Sequence, residues 1–210
     1  MKYLSAVLLV ALVFMASGCD TSSDLSVNNF ENNLPSSISK VTDYELIPLP
    51  NKSPLWTDSV FTMSKEIDGA VGGRIIMDKF YISDTGDSVI IKADLRLPAG
   101  AFQGTENITM TVDDEVAAIH FYPEMVFAET LKFFQSFEGL NLENYSTGTL
   151  DFVFIADDGS IELIKKNGVQ VVVPQGIVRV QNAKLLHFSR YGWIRKSTPN
   201  YQISPDINFD

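Results

Sequence analysis

From about Leu55 onward the apolar residues recur with a period of two, not the 3.6 of a helix. The clearest run is Ser88–Leu97. Val89, Ile91, Ala93, Leu95 and Leu97 fall on one side of it, and Ser88, Lys92, Asp94 and Arg96 on the other, with Ile90 the exception. Residues 107–112 alternate in the same way, as do 149–155 and 160–164. Asp157-Asp158-Gly159 separates the last two runs, and Asn167-Gly168 lies between residue 164 and the apolar run 169–173. Asp-Gly and Asn-Gly between apolar runs predict hairpins, because these residues tolerate positive φ. Asp84-Thr85-Gly86-Asp87 predicts a further turn between Tyr81-Ile82 and Val89. No amphipathic helix is evident between the runs. The pattern predicts an all-β chain with a single antiparallel β-sandwich, a barrel being the alternative.

The first residues obey a different rule. After Lys2, positions 4–16 are apolar except for Ser5. That is about 20 Å of helix, short of the roughly 30 Å hydrocarbon core of a bilayer. It fits the core of a secretory signal peptide. The segment ends Met15-Ala16-Ser17-Gly18-Cys19. Small residues before a cysteine resemble the bacterial lipobox, here in a relaxed form with Ala16 where Leu is usual. The resemblance implies a diacylglycerol on the Cys19 thiol, cleavage before Cys19, and often an acyl chain such as palmitate on its amine. Cys19 is the only cysteine in the chain. An ordinary secretory signal with a chance cysteine is the alternative. The expected address is the bacterial cell envelope, with the chain lipid-anchored to the inner or outer membrane and its domain outside the cytoplasm. Asp20 resembles an inner-membrane retention signal in enteric bacteria and a surface-export signal in other phyla.

Between residues 20 and 40 Ser, Asn, Thr and Asp dominate, with no sustained period, which predicts a flexible spacer. Residues 44–50 are denser and predict an extended arm, since Pro48 and Pro50 disfavour a helix. The expected layout is a signal peptide over 1–18, a lipid-anchored tether over 19–54, a sandwich over 55–195 and a tail over 196–210.

Composition narrows the chemistry. The 210 residues carry a net charge of −10, which argues against nucleic acid as a partner. One Cys and two His rule out an internal disulfide and nearly exclude a Cys/His zinc site. No P-loop, G-x-G-x-x-G or G-x-S-x-G motif occurs, and neither a cofactor nor a metal is expected.

Gly72-Gly73 opens a strand, Leu97-Pro98-Ala99-Gly100-Ala101 ends another, and residues 106–110 begin the next. Pro98 fixes φ and Gly100 permits a sharp turn. With Phe121-Tyr122-Pro123, the run 131–137 and a closing run His187-Phe188-Ser189-Arg190-Tyr191, this order resembles the ZU5 module over roughly residues 65–193. The resemblance implies a β-sandwich serving as an interaction or structural module. In some animal ZU5 proteins a His-Phe-Ser site cleaves itself. The resemblance therefore makes His187, Phe188 and Ser189 candidates: with His187 as base, the Ser189 hydroxyl attacks the Phe188 carbonyl in an N-to-O acyl shift that breaks the Phe188–Ser189 amide, and water then hydrolyses the ester. The competing expectation is a plain closing strand, with His187, Ser189 and Tyr191 on one face and Phe188 in the core.

Other candidates weigh less. Asp113-Asp114-Glu115 and Asp157-Asp158 lack EF-hand spacing and fall at turns, where Asp is favoured for backbone reasons. His120 predicts a half-buried strand residue with little to pair it. Lys165-Lys166 predicts a solvated hairpin end. Phe133, Phe134, Phe137, Phe152 and Phe154 suit a core, and a glycan-binding face needs them exposed. Trp56 and Trp193 are expected at the domain's edges, and the chain past Trp193 as a frayed end. The expected function is a cell-envelope lipoprotein with a non-catalytic interaction domain, its partner an envelope protein or glycan. A self-cleaving domain and a glycan-binding lipoprotein are the alternatives.

Overall fold

The computed structural model describes residues 44–56 and 60–197. The signal segment, Cys19, Asp20, the spacer and the end of the tail lie outside the described residues. Two antiparallel sheets pack face to face. In the seven-stranded sheet the order is β2 (Thr62–Asp68), β5 (Thr105–Val112), β6 (Ala118–Tyr122), β12 (Arg190–Lys196), β8 (Leu150–Ile155) and β9 (Ile161–Leu163), with β1 (Tyr44–Leu46) also paired to β12. The five-stranded sheet runs β10 (Gly168–Val172), β11 (Ile177–His187), β7 (Val126–Glu138), β4 (Ser88–Leu97) and β3 (Gly73–Ile82). This is the expected antiparallel β-sandwich.

The alternation in β4 sets its register. Val89, Ile91, Ala93, Leu95 and Leu97 are all buried, while Ser88, Lys92 and Arg96 are exposed. Asp84–Asp87 makes the tight turn into this strand, so β3 and β4 pair along their whole length, from Ile82↔Ser88 to Gly73↔Leu97. Gly100 takes a φ of 83° after Pro98 and donates its N–H to the Gly69 carbonyl at 2.8 Å, the sharp turn its sequence context predicts.

An aromatic chain runs through the core. Trp193 lies 5.5 Å from Phe152, Phe152 6.1 Å from Phe133, and Phe133 5.2 Å from Phe121. Gln135, fully buried on β7, gives it a polar partner: its Oε1 accepts the Trp193 indole N–H at 3.1 Å. Trp193 is thus central, not at an edge, because β12 is flanked by β1, β6 and β8. Nor do the residues directly after Trp193 fray: Ile194 is fully buried, and Arg195 and Lys196 still pair with β1.

Two other expectations are corrected. The arm at residues 44–50 belongs to the sandwich and not to the tether, since β1 pairs with β12 and Ile47 is fully buried. Asn167-Gly168 is not a hairpin tip. β9 pairs with β8 in one sheet and β10 with β11 in the other, so residues 164–167 carry the chain across the sandwich. Asn167 is held there by donating its N–H to the Gln181 carbonyl at 3.0 Å.

The edge strand β3 protects itself. Lys79 occupies an inward-facing position between Met77 and Tyr81, and Lys65 of β2 donates to the Arg74 carbonyl at 3.1 Å. Inward charge and blocked carbonyls both discourage pairing with another chain.

Candidate functional site

His187, Phe188 and Ser189 do not lie in one strand. His187 ends β11 and Arg190 begins β12, so Phe188-Ser189 is the corner where the chain passes from one sheet to the other. Hydrogen bonds fix the corner from both sides. The Phe188 N–H donates to the Met125 carbonyl at 2.8 Å, and the Ser189 carbonyl accepts from the Phe121 N–H at 2.9 Å. Phe188 is buried, stacked 5.1 Å from Phe121 and edge-on to Phe127 at 4.6 Å.

The His187 ring is turned to aromatic neighbours. It meets Phe154 edge-on at 4.6 Å and lies 6.0 Å from Tyr191. Among the described residues, neither its ring nitrogens nor Ser189 Oγ has a hydrogen-bond partner. The Tyr191 hydroxyl donates to the His187 carbonyl at 2.8 Å. Burial first, then the nearby Glu162 carboxylate, pushes that phenol well above its ordinary range, so it stays a donor. The geometry brings the three candidates together in sequence and space. It does not set His187 as a hydrogen-bonded base on Ser189, which proton abstraction requires.

A second cluster forms on the outer face of the seven-stranded sheet. Asp113 Oδ1 accepts the Glu115 and Val116 N–H groups at 3.0 and 3.1 Å, the turn role expected of it. Its Oδ2 accepts from Arg190 Nη2 at 2.7 Å and lies 3.3 Å from His120 Nε2. Burial alone would raise the Asp113 carboxyl; the His120, backbone and Arg190 contacts outweigh it and hold it well below the usual carboxylate range. His120 therefore has the partner the sequence reading did not find, and it stacks on Tyr122 with centroids 6.4 Å apart. The pairing of β6 and β12 puts His120 opposite Arg190, a contact between residues 70 apart in the chain. Through these contacts Asp113 ties the β5–β6 turn to Arg190 of β12.

Lys166 is likewise engaged. It lies 2.8 Å from Asp151, which Lys196 also meets at 2.8 Å. Burial would raise Asp151, but the two ammonium groups hold it low. Asp157-Asp158 is a turn, with Asp158 accepting the Ser160 N–H at 2.8 Å. Among the described residues no three His, Cys, Asp or Glu groups converge to hold a metal. Phe133 and Phe152 are buried and Phe134 is half-buried, so these three form no exposed aromatic platform.

Comparison with family models, curated proteins and solved structures finds no match for this chain.

Proposed function

We propose that this chain is a bacterial cell-envelope lipoprotein, held to a membrane through diacylglycerol and acyl chains on Cys19, whose ZU5-like sandwich is a non-catalytic interaction or structural module. The observation that carries the anchor is the apolar segment of residues 4–16 running into Ala16-Ser17-Gly18-Cys19, with Cys19 the sole cysteine. Two or three acyl chains hold a protein on a bilayer far more firmly than one. In support of the module, the His187 ring is packed among Phe154 and Tyr191, and the acids at turns serve the backbone. The Gly72-Gly73 opening of β3 and the Pro98–Gly100 turn after β4 support the ZU5-like reading.

The test is detergent-phase partition of protein made in a bacterial host. The natural chain enters the detergent phase, and Cys19→Ala moves it to the aqueous phase or leaves it unprocessed. Equal partition of both proteins overturns the anchor.

Self-cleavage is the second reading, favoured only by the position of the Phe188–Ser189 bond at the sheet-to-sheet corner. A denaturing gel separates the two readings. The module predicts one band, unchanged by Ser189→Ala; self-cleavage predicts two bands that this variant merges.

A further inference from the structure

The outer face of the five-stranded sheet carries a line of cations that the sequence scatters over 110 residues. Arg74 on β3 is in register with Arg96 on β4, Arg96 with Lys132 on β7, and Lys132 with Lys184 on β11. Arg74, Arg96 and Lys132 are exposed and Lys184 is half-buried. Four neighbouring strands thus place one cation each in a single row. Three inter-strand gaps make it about 14 Å long at the backbone.

Like charges directly opposite one another destabilise a sheet. This row does so at three successive pairings, in a chain of net charge −10 with acids to spare. One carboxylate relieves it. Asp94 accepts from Arg74 at 2.7 Å through both Nε and Nη2, and from Arg96 Nη2 at 2.8 Å. Among the described residues, Lys132 and Lys184 have no carboxylate within ion-pair distance. Edge protection does not account for the row, because Arg96, Lys132 and Lys184 sit on inner strands.

We infer that this row is a docking surface for a stiff linear polyanion, an acidic polysaccharide laid across the strands. The shape of the charge favours this occupant over an anionic bilayer. A bilayer is a plane, and on the same face Asp78 is exposed and Glu138 is half-buried. A plane of lipid phosphates would meet these carboxylates as well; a single chain along the row would not. Fixed, evenly spaced cations also reward a chain that is already stiff, since it loses little freedom on binding. The inference names a partner chemistry for the module proposed above, and rests on that reading only in placing the domain outside the cytoplasm.

The test uses the purified full chain against polygalacturonate, with dextran, poly-glutamate and phosphatidylglycerol vesicles as comparators. Polygalacturonate is expected to bind more tightly than any comparator. Net of Asp94 the row carries three charges, which on a polymer charged like single-stranded nucleic acid would give a log–log salt slope of roughly −2. A uronate chain, more sparsely charged, gives a shallower one. Lys132→Gln/Lys184→Gln should weaken binding about tenfold and remove about two-thirds of the slope, since two of the row's three net charges are gone. Lys92→Gln, on the same face but outside the row, should change binding by less than about twofold. The double variant's melting temperature should hold or rise, because a like-charge pairing is removed. Binding no tighter than to poly-glutamate or to vesicles overturns the inference. So do absence of binding and equal binding by the double variant. None of these outcomes touches Cys19, whose lipidation is read separately.

Discussion

Replacing Phe188 by Ala distinguishes a packed corner from a reactive one. Phe188 is 2% exposed, stacked on Phe121 and edge-on to Phe127, with its N–H tied to Met125. Truncating a buried Phe to Ala costs about 3–5 kcal/mol, combining lost transfer energy with the cavity left behind. Of that, each of the two ring contacts carries about 0.5–1.5 kcal/mol beyond area. Because the corner is held by backbone bonds on both sides, it cannot collapse freely, which places the loss towards the upper end. For a domain of this size each kcal/mol moves the melting temperature by about 2–4 °C, so a loss of about 4–5 kcal/mol should lower it by roughly 8–20 °C. The assay is urea unfolding followed by Trp fluorescence, since Trp193 sits in the same aromatic chain. The m-value should not change, and Ser189→Ala should stay within about 0.5 kcal/mol of the natural protein. A Phe188→Ala loss below about 1 kcal/mol, or a Ser189→Ala loss as large as that of Phe188→Ala, refutes the reasoning.

Three further outcomes follow from the same packing. Asp113 is held below its ordinary range in the folded protein, so its contribution is fully present above about pH 4 and is lost as pH falls further; Asp113→Ala should flatten the acid limb of a stability–pH curve. Gln135→Leu strands the Trp193 indole N–H and should cost about 1–3 kcal/mol, whereas adding Trp193→Phe should recover part of that in a double-mutant cycle; simple additivity would deny the hydrogen bond. Gly176→Ala combines a φ of 62° with a Cβ 2.1 Å from the Leu140 carbonyl, while Gly86→Ala meets only its φ of 91° in open space. Thermal melts should therefore show the first as much the more damaging, with Gly86→Ala costing about 1–2 kcal/mol.

The strands were legible where one face is buried and the other wet. Ser88–Leu97 displays its register in its own letters, and the turns at Gly86, Gly100 and Gly159 carry their positive φ openly. Features that depend on pairing between distant segments were not legible. Asn167-Gly168 has the local signature of a hairpin, yet the chain changes sheets there because β11 is available to β10. Trp193 looked peripheral because it lies near the end of the chain, and β12 made it central by taking β1, β6 and β8 as neighbours. His120 found Asp113 and Arg190 only through the β5–β6–β12 register. The row Arg74, Arg96, Lys132 and Lys184 has no sequence signal at all, since it exists only once four strands are aligned. The candidate His187-Phe188-Ser189 was visible as a tripeptide, but its place at a corner and the packing of its ring were not.

The anchor and the inert body are read together by one intact-mass spectrum of the protein taken from the membranes of a bacterium that expresses it. The account predicts a single species running from Cys19 to Asp210, heavier than that polypeptide by a diacylglyceryl group and a fatty acyl chain. An unmodified chain, cleavage away from Cys19, or a pair of masses split between Phe188 and Ser189 would contradict it.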